Sequence, residues 1–176
     1  MATDEKLMMR AGRGDMDAFE TLVRRHQDTA VSVAYRYLGD RAQAEDIAQE
    51  AFLKILDAAE RYEPTAKFTT YLYGVVWRLC VDTYRKKSPM NWDSSIPHEA
   101  DADPPDARMR RRETAERVQA ALAELPPRQR MALVLQHYEG MSYEEIAATM
   151  DCTTSAVAAL LVRARDTLKE VLEGVL

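Results

Sequence analysis

The sequence predicts an all-α protein: two small helical domains joined by an acidic, proline-rich linker, the second containing a helix-turn-helix. Three observations predict it. Apolar residues recur at the i, i+3, i+4, i+7 spacing of amphipathic helices, with no strand-like alternation and no internal repeat. Helix start and stop signals stand at the ends of those periodic stretches. Composition breaks sharply once, at KKSPMNWDSSIPHEADADPPDAR (86–108), where Pro, Ser and Asp replace the periodic pattern. The expected boundaries are therefore 1–87, 88–109 and 110–176.

In the first domain, Phe19, Leu22, Val23, Ala30, Val33, Ala34, Tyr37 and Leu38 trace one long helix, with Gly39 as its stop. Ala44, Ile47, Ala48, Ala51, Phe52, Ile55 and Leu56 trace a second, from about 41 to 59. A third is expected from Phe68 to Lys86, and the three make a small bundle.

The second domain opens with a helix near 111–124 carrying Ala115, Val118 and Leu122. ELPPRQR stops it and starts the next, with Pro127 at a first helical position where its missing N–H costs nothing. Met131, Val134, Leu135 and Tyr138 share a face of that helix, which ends by Gly140. Ser142 and Glu145 have capping-box spacing, so a short helix starts there and ends near Met150. Asp151 occupies the turn, where a residue tolerant of left-handed φ is wanted. Ala147 and Val157 pack the two helices together, and Thr153 or Thr154 caps a final helix running to about Glu173.

At 176 residues and 47% hydrophobic, the chain suffices for one ordinary domain or two small ones. Its net charge of −5 excludes a uniformly basic body that coats nucleic acid. Net charge is −3 over residues 1–67, +3 over 68–87, −4 over 88–109 and −1 over 110–176, so the one basic island precedes the linker. Cys80, Cys152, His26, His98 and His137 are scattered, which points to no disulfide framework, no metal cluster and no cofactor. Without a nucleophile motif or phosphate loop, an enzyme is the weakest reading. The stretch MATDEKLMMRAGRGD has no apolar core of signal-peptide length, and a soluble, cytoplasmic protein is expected.

Two stretches carry chemistry. In FTTYLYGVVWRLCVDTYRKK (68–87) aromatic rings interleave with cations, a combination that grips a single strand: bases stack on rings for about 1–3 kcal/mol each while cations track phosphates. Spacing assigns Phe68, Leu72, Val76 and Leu79 to the core and turns Tyr71, Trp77 and Arg78 outward, with Arg85 and Lys86 following. On the 41–59 helix, Asp46, Gln49, Glu50 and Leu53 are left outside the apolar face, as a solvated surface or a docking surface for an Arg-rich partner.

AEDIAQEAFLKIL (44–56), FTTYLYGVVWRLCVDTYRKK (68–87), LPPRQRMALVLQHYEGMSYEEIAATM (125–150) and SAVAALLVRAR (155–165), in that order, resemble the core segments of bacterial RNA polymerase sigma factors, specifically the extracytoplasmic-function (ECF) group. The resemblance covers about residues 15–87 and 112–172 and implies an alternative sigma factor that directs promoter recognition and opening. It implies that the first domain binds the core polymerase clamp through Asp46, Gln49, Glu50 and Leu53, and the minus-ten element through Tyr71, Trp77, Arg78, Arg85 and Lys86. It also implies a base-capture role for AERYEPTAK (59–67), minus-thirty-five and flap binding by the second domain, and a cognate anti-sigma factor. No small-molecule substrate and no direct membrane insertion are expected.

In the helix-turn-helix, Arg128, Arg130, Arg163 and Arg165 suit phosphate contacts, while Thr154, Ser155, Ala158 and Ala159 could reach base edges or thymine methyls. Arg163 and Arg165 could instead pair with Asp166 or Glu170. The chain departs from the family at Trp77 and Arg78, where Arg then Asn is common, and at Ala158 and Leu160, where Lys and Arg are usual. Two rival readings remain: a sigma-like decoy that sequesters an anti-sigma factor without touching promoters, and a free-standing operator-binding regulator, which leaves residues 15–87 unexplained.

Overall fold

A computed structural model describes residues 1–86 and 104–173, and its regular structure is entirely helical. The first element was not expected from spacing. Helix α1, Asp4–Gly12, is capped by Thr3, whose hydroxyl accepts from the Lys6 N–H, and it buries Leu7, Met8 and Ala11. Its apolar stripe is too short to register as a period, so the bundle has four helices rather than three.

Helix α2 (Met16–Leu38) begins where Asp15 accepts from the Ala18 N–H and ends at Gly39, whose φ of 74° is open to glycine. Asp40 accepts from the Gln43 N–H and starts α3 (Arg41–Asp57); a 3₁₀ turn (Ala59–Arg61) follows. At the start of α4 (Phe68–Lys86) the Phe68 N–H donates to Glu5 Oε1 at 2.8 Å, a carboxylate at the positive end of the helix. Gly12 lets α1 lie against the 3₁₀ turn, because a Cβ there would stand 2.4 Å from the Ala59 carbonyl oxygen.

The second half comprises α5 (Pro105–Glu124), α6 (Pro127–His137), α7 (Tyr143–Met150) and α8 (Thr154–Glu173). Helix α5 starts six residues earlier than spacing predicts, so the end of the expected linker is helical; residues 88–103 of that linker lie outside the described residues. Its inward face also differs from expectation: Gln119, Ala121 and Leu122 are buried, while Val118 is exposed. The capping box is present in full, with Ser142 Oγ accepting from Glu145 N–H and Glu145 Oε2 accepting from Ser142 N–H. Asp151 takes the left-handed conformation at φ 53°, and α7 and α8 meet at a 100° bend, within the range of a DNA-reading helix-turn-helix.

The two halves do not stand apart. One continuous apolar core runs from Leu7 to Ala164, with α4 packed on α7 and the C-terminal end of α2 on α5 and α6. No single helix among the described residues is long and apolar enough to cross a membrane.

Candidate nucleic-acid interface

The aromatic and basic side chains of α4 divide between two faces. Phe68, Leu72, Val76 and Leu79 are buried as spacing predicts. Tyr71 is half-buried, its ring 5.4 Å from that of Tyr62, and Arg78 is exposed beside it. Burial raises the pKa of the Tyr71 hydroxyl, while the nearby Arg78 and Arg61 cations oppose that rise. Arg85 and Lys86 are exposed at the C-terminal end of the helix. Tyr71, Arg78 and Arg61 thus form an open cluster of ring and cation. Arg61 was not singled out, although it lies in AERYEPTAK (59–67), because it stands on the preceding turn, outside the periodic segment.

Trp77 is a correction. Spacing turns it outward, but it is 6% exposed, edge-on to Tyr37 at 5.6 Å. The bundle itself covers it through Tyr37 of α2, and α4 is packed by α7 as well. A Cβ added at Gly74 would stand 3.6 Å from the Thr149 carbonyl oxygen of α7. Tyr73, beside it, is buried and donates its hydroxyl to Glu139 Oε2 at 2.9 Å; burial raises its pKa, as does the Glu139 charge.

On α3, Asp46, Gln49, Glu50 and Leu53 all face outward, and Leu53 is 63% exposed. Asp46 and Glu50 have no ion-pair partner among the described residues. Gln49 and Leu53 border a groove of about 1140 Å³ between α2, α3 and α5, whose walls include Val31, Tyr35, Phe52 and Val118. An exposed apolar side chain flanked by unpaired carboxylates can dock a partner that offers both cations and an apolar anchor.

In the helix-turn-helix, Thr153 is the cap of α8, its Oγ1 accepting from the Ala156 N–H at 3.1 Å. Thr154, Ser155 and Ala159 are exposed on the first turns and Ala158 is half-buried. Arg163 is exposed with no ion-pair partner among the described residues. Arg165 donates to Gln136 Oε1 at 2.8 Å rather than to Asp166 or Glu170, which pins it to α6. Arg128 is exposed at the start of α6.

Arg130 is the second correction. Expected to face DNA, it is 1% exposed and lies between the halves. Its Nη1 donates to the Tyr37 carbonyl at 2.5 Å, and its Nη2 to the carbonyls of Ala123 and Leu125, both at 2.9 Å. The last carbonyls of a helix have no partners within it. One guanidinium therefore caps the ends of α2 and α5 together, where a cation also suits both dipoles. Gln119 completes the seam, donating to the Tyr35 and Arg36 carbonyls at 3.2 and 3.3 Å. At its edges Arg36 lies 3.8 Å over the Tyr138 ring, and Lys67 pairs with Glu145 at 2.6 Å. Spacing gave no sign of the contacts that join the halves, because the two partners of each are far apart in the chain.

No group of three or more His, Cys, Asp or Glu side chains among the described residues could hold a metal ion. Residues 22–89 match the family model for sigma-70 region 2, and residues 115–168 that for sigma-70 region 4. The chain is 30% identical to the RNA polymerase sigma-H factor of Pseudomonas aeruginosa, over 98% of this chain and 95% of that one. It is 32% identical to the ECF RNA polymerase sigma-E factor of Escherichia coli K12, over 94% of this chain and 92% of that one. Among solved structures, CnrH in complex with the cytosolic domain of CnrY is similar with a TM-score of 0.75 and 27% identity, over 97% of each chain.

Proposed function

Because this chain belongs to the extracytoplasmic-function group of bacterial RNA polymerase sigma factors, which bind core polymerase and promoter DNA, we propose a division of that work among its three surfaces. Asp46, Gln49, Glu50 and Leu53 dock on the polymerase clamp. Tyr71, Arg78, Arg85 and Lys86 hold the minus-ten strand, joined by Arg61, with Trp77 acting from beneath as a packing residue. Thr154, Ser155, Ala158 and Ala159 face the minus-thirty-five bases, flanked by Arg128, Arg163 and Arg165 on phosphates. The observation that carries this reading is the ring-and-cation cluster of α4 preceding, in the same chain, a fully capped helix-turn-helix. The chain works in the cytoplasm as an initiation factor, not as an enzyme.

Few cations face the minus-thirty-five element, so duplex binding by the free chain is weak, in the range of about 10⁻⁴ to 10⁻⁶ M. Tethering through polymerase supplies effective concentrations approaching mM, enough to fill such a site. Bases are then distinguished by small side chains and DNA shape rather than by bidentate Arg contacts. A cognate anti-sigma factor is the expected regulator, supported by the likeness to CnrH, which is seen with the cytosolic domain of CnrY.

Run-off transcription with core polymerase tests the proposal: a promoter-dependent transcript is expected. The uncharged Ala158 and Ala159 surface favours a second reading, a decoy for anti-sigma factors. Absence of any transcript together with tight anti-sigma binding would establish the decoy instead.

A further inference from the structure

We infer that α1 is a positioning strut for the cluster that grips the minus-ten strand: Gly12 seats the turn that carries Arg61, and Glu5 fixes the start of the helix that carries Tyr71; this rests on the strand-holding role proposed above. Helix α1 precedes the region 2 match, which begins at residue 22. A helix of nine residues is marginal by itself, so α1 stands only because its surroundings hold it. Asp4 and Glu5 divide that task, since neighbouring positions on a helix point about 100° apart. Asp4 accepts from Arg25 Nη1 at 2.8 Å and lies 2.8 Å from His26 Nε2, which ties α1 to α2. Glu5 accepts from the Phe68 N–H at 2.8 Å, which ties it to the first residue of α4.

The far end of α1 meets the other end of the same connection. A Cβ at Gly12 would stand 2.4 Å from the Ala59 carbonyl oxygen, and that obstacle is main chain, which no change of rotamer can move. Helix α1 therefore touches the segment between α3 and α4 twice, at Ala59 near its beginning and at Phe68 where it ends. From Glu5 to Gly12 is roughly 10 Å at about 1.5 Å per helical residue, whereas the chain from Ala59 to Phe68 could extend to roughly 30 Å. The segment is slack, and α1 sets its span. Arg61 is the last residue of the turn seated on Gly12, and Tyr71 lies one turn into the helix that Glu5 caps. Between them Tyr62 brings its ring to 5.4 Å from that of Tyr71. Holding a base on a ring and its phosphate on a cation demands a fixed distance between the two side chains, and a rigid element supplies that distance better than a loop.

The test uses the full chain assembled with core polymerase. Its probe is a fluorescein-labelled single strand spanning the minus-ten element of a promoter that gives a run-off transcript. Glu5→Ala removes the acceptor at Phe68, Glu5→Gln keeps one, and Gly12→Ala drives a Cβ into the Ala59 carbonyl. Val33→Ala truncates a buried side chain two turns along α2 from His26, and shows what lost stability does while both contacts of α1 remain. Glu5→Ala and Gly12→Ala should each weaken strand binding at least fivefold while core binding stays within about twofold; Glu5→Gln should stay within about twofold of wild type in both. Val33→Ala should lower the urea midpoint and leave strand binding within about twofold. Should Gly12→Ala fail to fold, the two Glu5 variants decide alone. Strand binding within twofold of wild type in Glu5→Ala, or in a folded Gly12→Ala, would overturn the strut, as would a loss in Glu5→Gln or Val33→Ala equal to that in Glu5→Ala. If wild-type holoenzyme gives no transcript from any promoter, the functional reading fails and the strut with it; a transcribing wild type matched by its Glu5→Ala variant sinks the strut alone.

Discussion

Arg130 on α6 donates a hydrogen bond to the carbonyl of Tyr37, 93 positions earlier at the end of α2, and the same guanidinium closes the end of α5. Burying a cation without a carboxylate is costly, and desolvation lowers its pKa from the ordinary arginine value. Three carbonyls and the Tyr37 ring compensate. Arg130→Met keeps much of the apolar volume and strands those carbonyls, so the chain should lose about 2–4 kcal/mol of stability in chemical denaturation. A loss under 0.5 kcal/mol, at the level of ordinary surface changes, would show that the seam is not closed in solution.

The clamp surface should behave in the opposite way. Asp46→Ala with Gln49→Ala removes groups that touch nothing essential to the bundle, so the melting temperature should stay within about 2 °C. Affinity for core polymerase, read by a fluorescence titration, should fall about tenfold or more. A large drop in melting temperature would mean that this face serves folding instead.

Tyr62 buries its hydroxyl without a hydrogen-bond partner among the described residues. Burial, then the nearby Glu5 charge, pushes its pKa up to about 12. Tyr62→Phe keeps the ring against Tyr71 and removes the unsatisfied oxygen, so it should be neutral or stabilise by up to about 1 kcal/mol in urea titration. Destabilisation beyond that range would contradict the assignment.

The Lys67 and Glu145 pair sets a pH window. The Lys67 hydrogen bond, then the Ser142 N–H, holds the Glu145 carboxyl below its ordinary 4.5, while the Glu145 hydrogen bond and charge hold Lys67 above 10.5. A carboxyl lowered on folding adds stability above its unfolded pKa, which is lost as pH falls through the folded value. A raised lysine adds stability below its unfolded pKa, which is lost as pH rises through its folded value. The difference between wild type and Lys67→Gln in urea midpoint should therefore be flat between about pH 6 and 9 and shrink as pH falls below 4.5. A difference that grows on acidification would exclude the pair.

What was legible in the sequence was local. Gly39, Asp151 and the Ser142 and Glu145 box act within a turn or two of themselves, so the helices they bound were readable from spacing. The outward set on α3 was readable too, because that helix packs on one side only. Helix α1 was not, since its nine residues carry too short a period. Trp77 and Arg130 were misplaced for one reason: each is held against a residue distant in the chain, Tyr37 in both cases, and amphipathic spacing has nothing to say about such a partner. The usable clue for Trp77 was α4 itself, whose run of Leu72, Tyr73, Gly74, Val75, Val76 and Trp77 is apolar all round, the mark of a helix buried on more than one face. For Arg130 there was no such clue, because its acceptors are main-chain atoms.

That last point governs how the two halves could be exchanged in evolution. Every carbonyl at the end of α2 that joins the seam is backbone, present whatever side chains α2 carries there. At this end of α2 recognition is thus written in the side chains of Gln119 and Arg130, whereas Arg36 with Tyr138 and Tyr73 with Glu139 join the halves side chain to side chain. A promoter-reading half borrowed from another chain would have to bring a glutamine and an arginine in the same register, and partners for Arg36, Lys67 and Tyr73 as well. Conversely, the bundle can diversify its α2 surface where, unlike Arg36 and Tyr37, a side chain makes no contact across the seam. The seam is tolerant where it reads main chain and exacting where it pairs side chains, a compatibility rule that limits which reading heads can be traded while the polymerase-facing body stays the same.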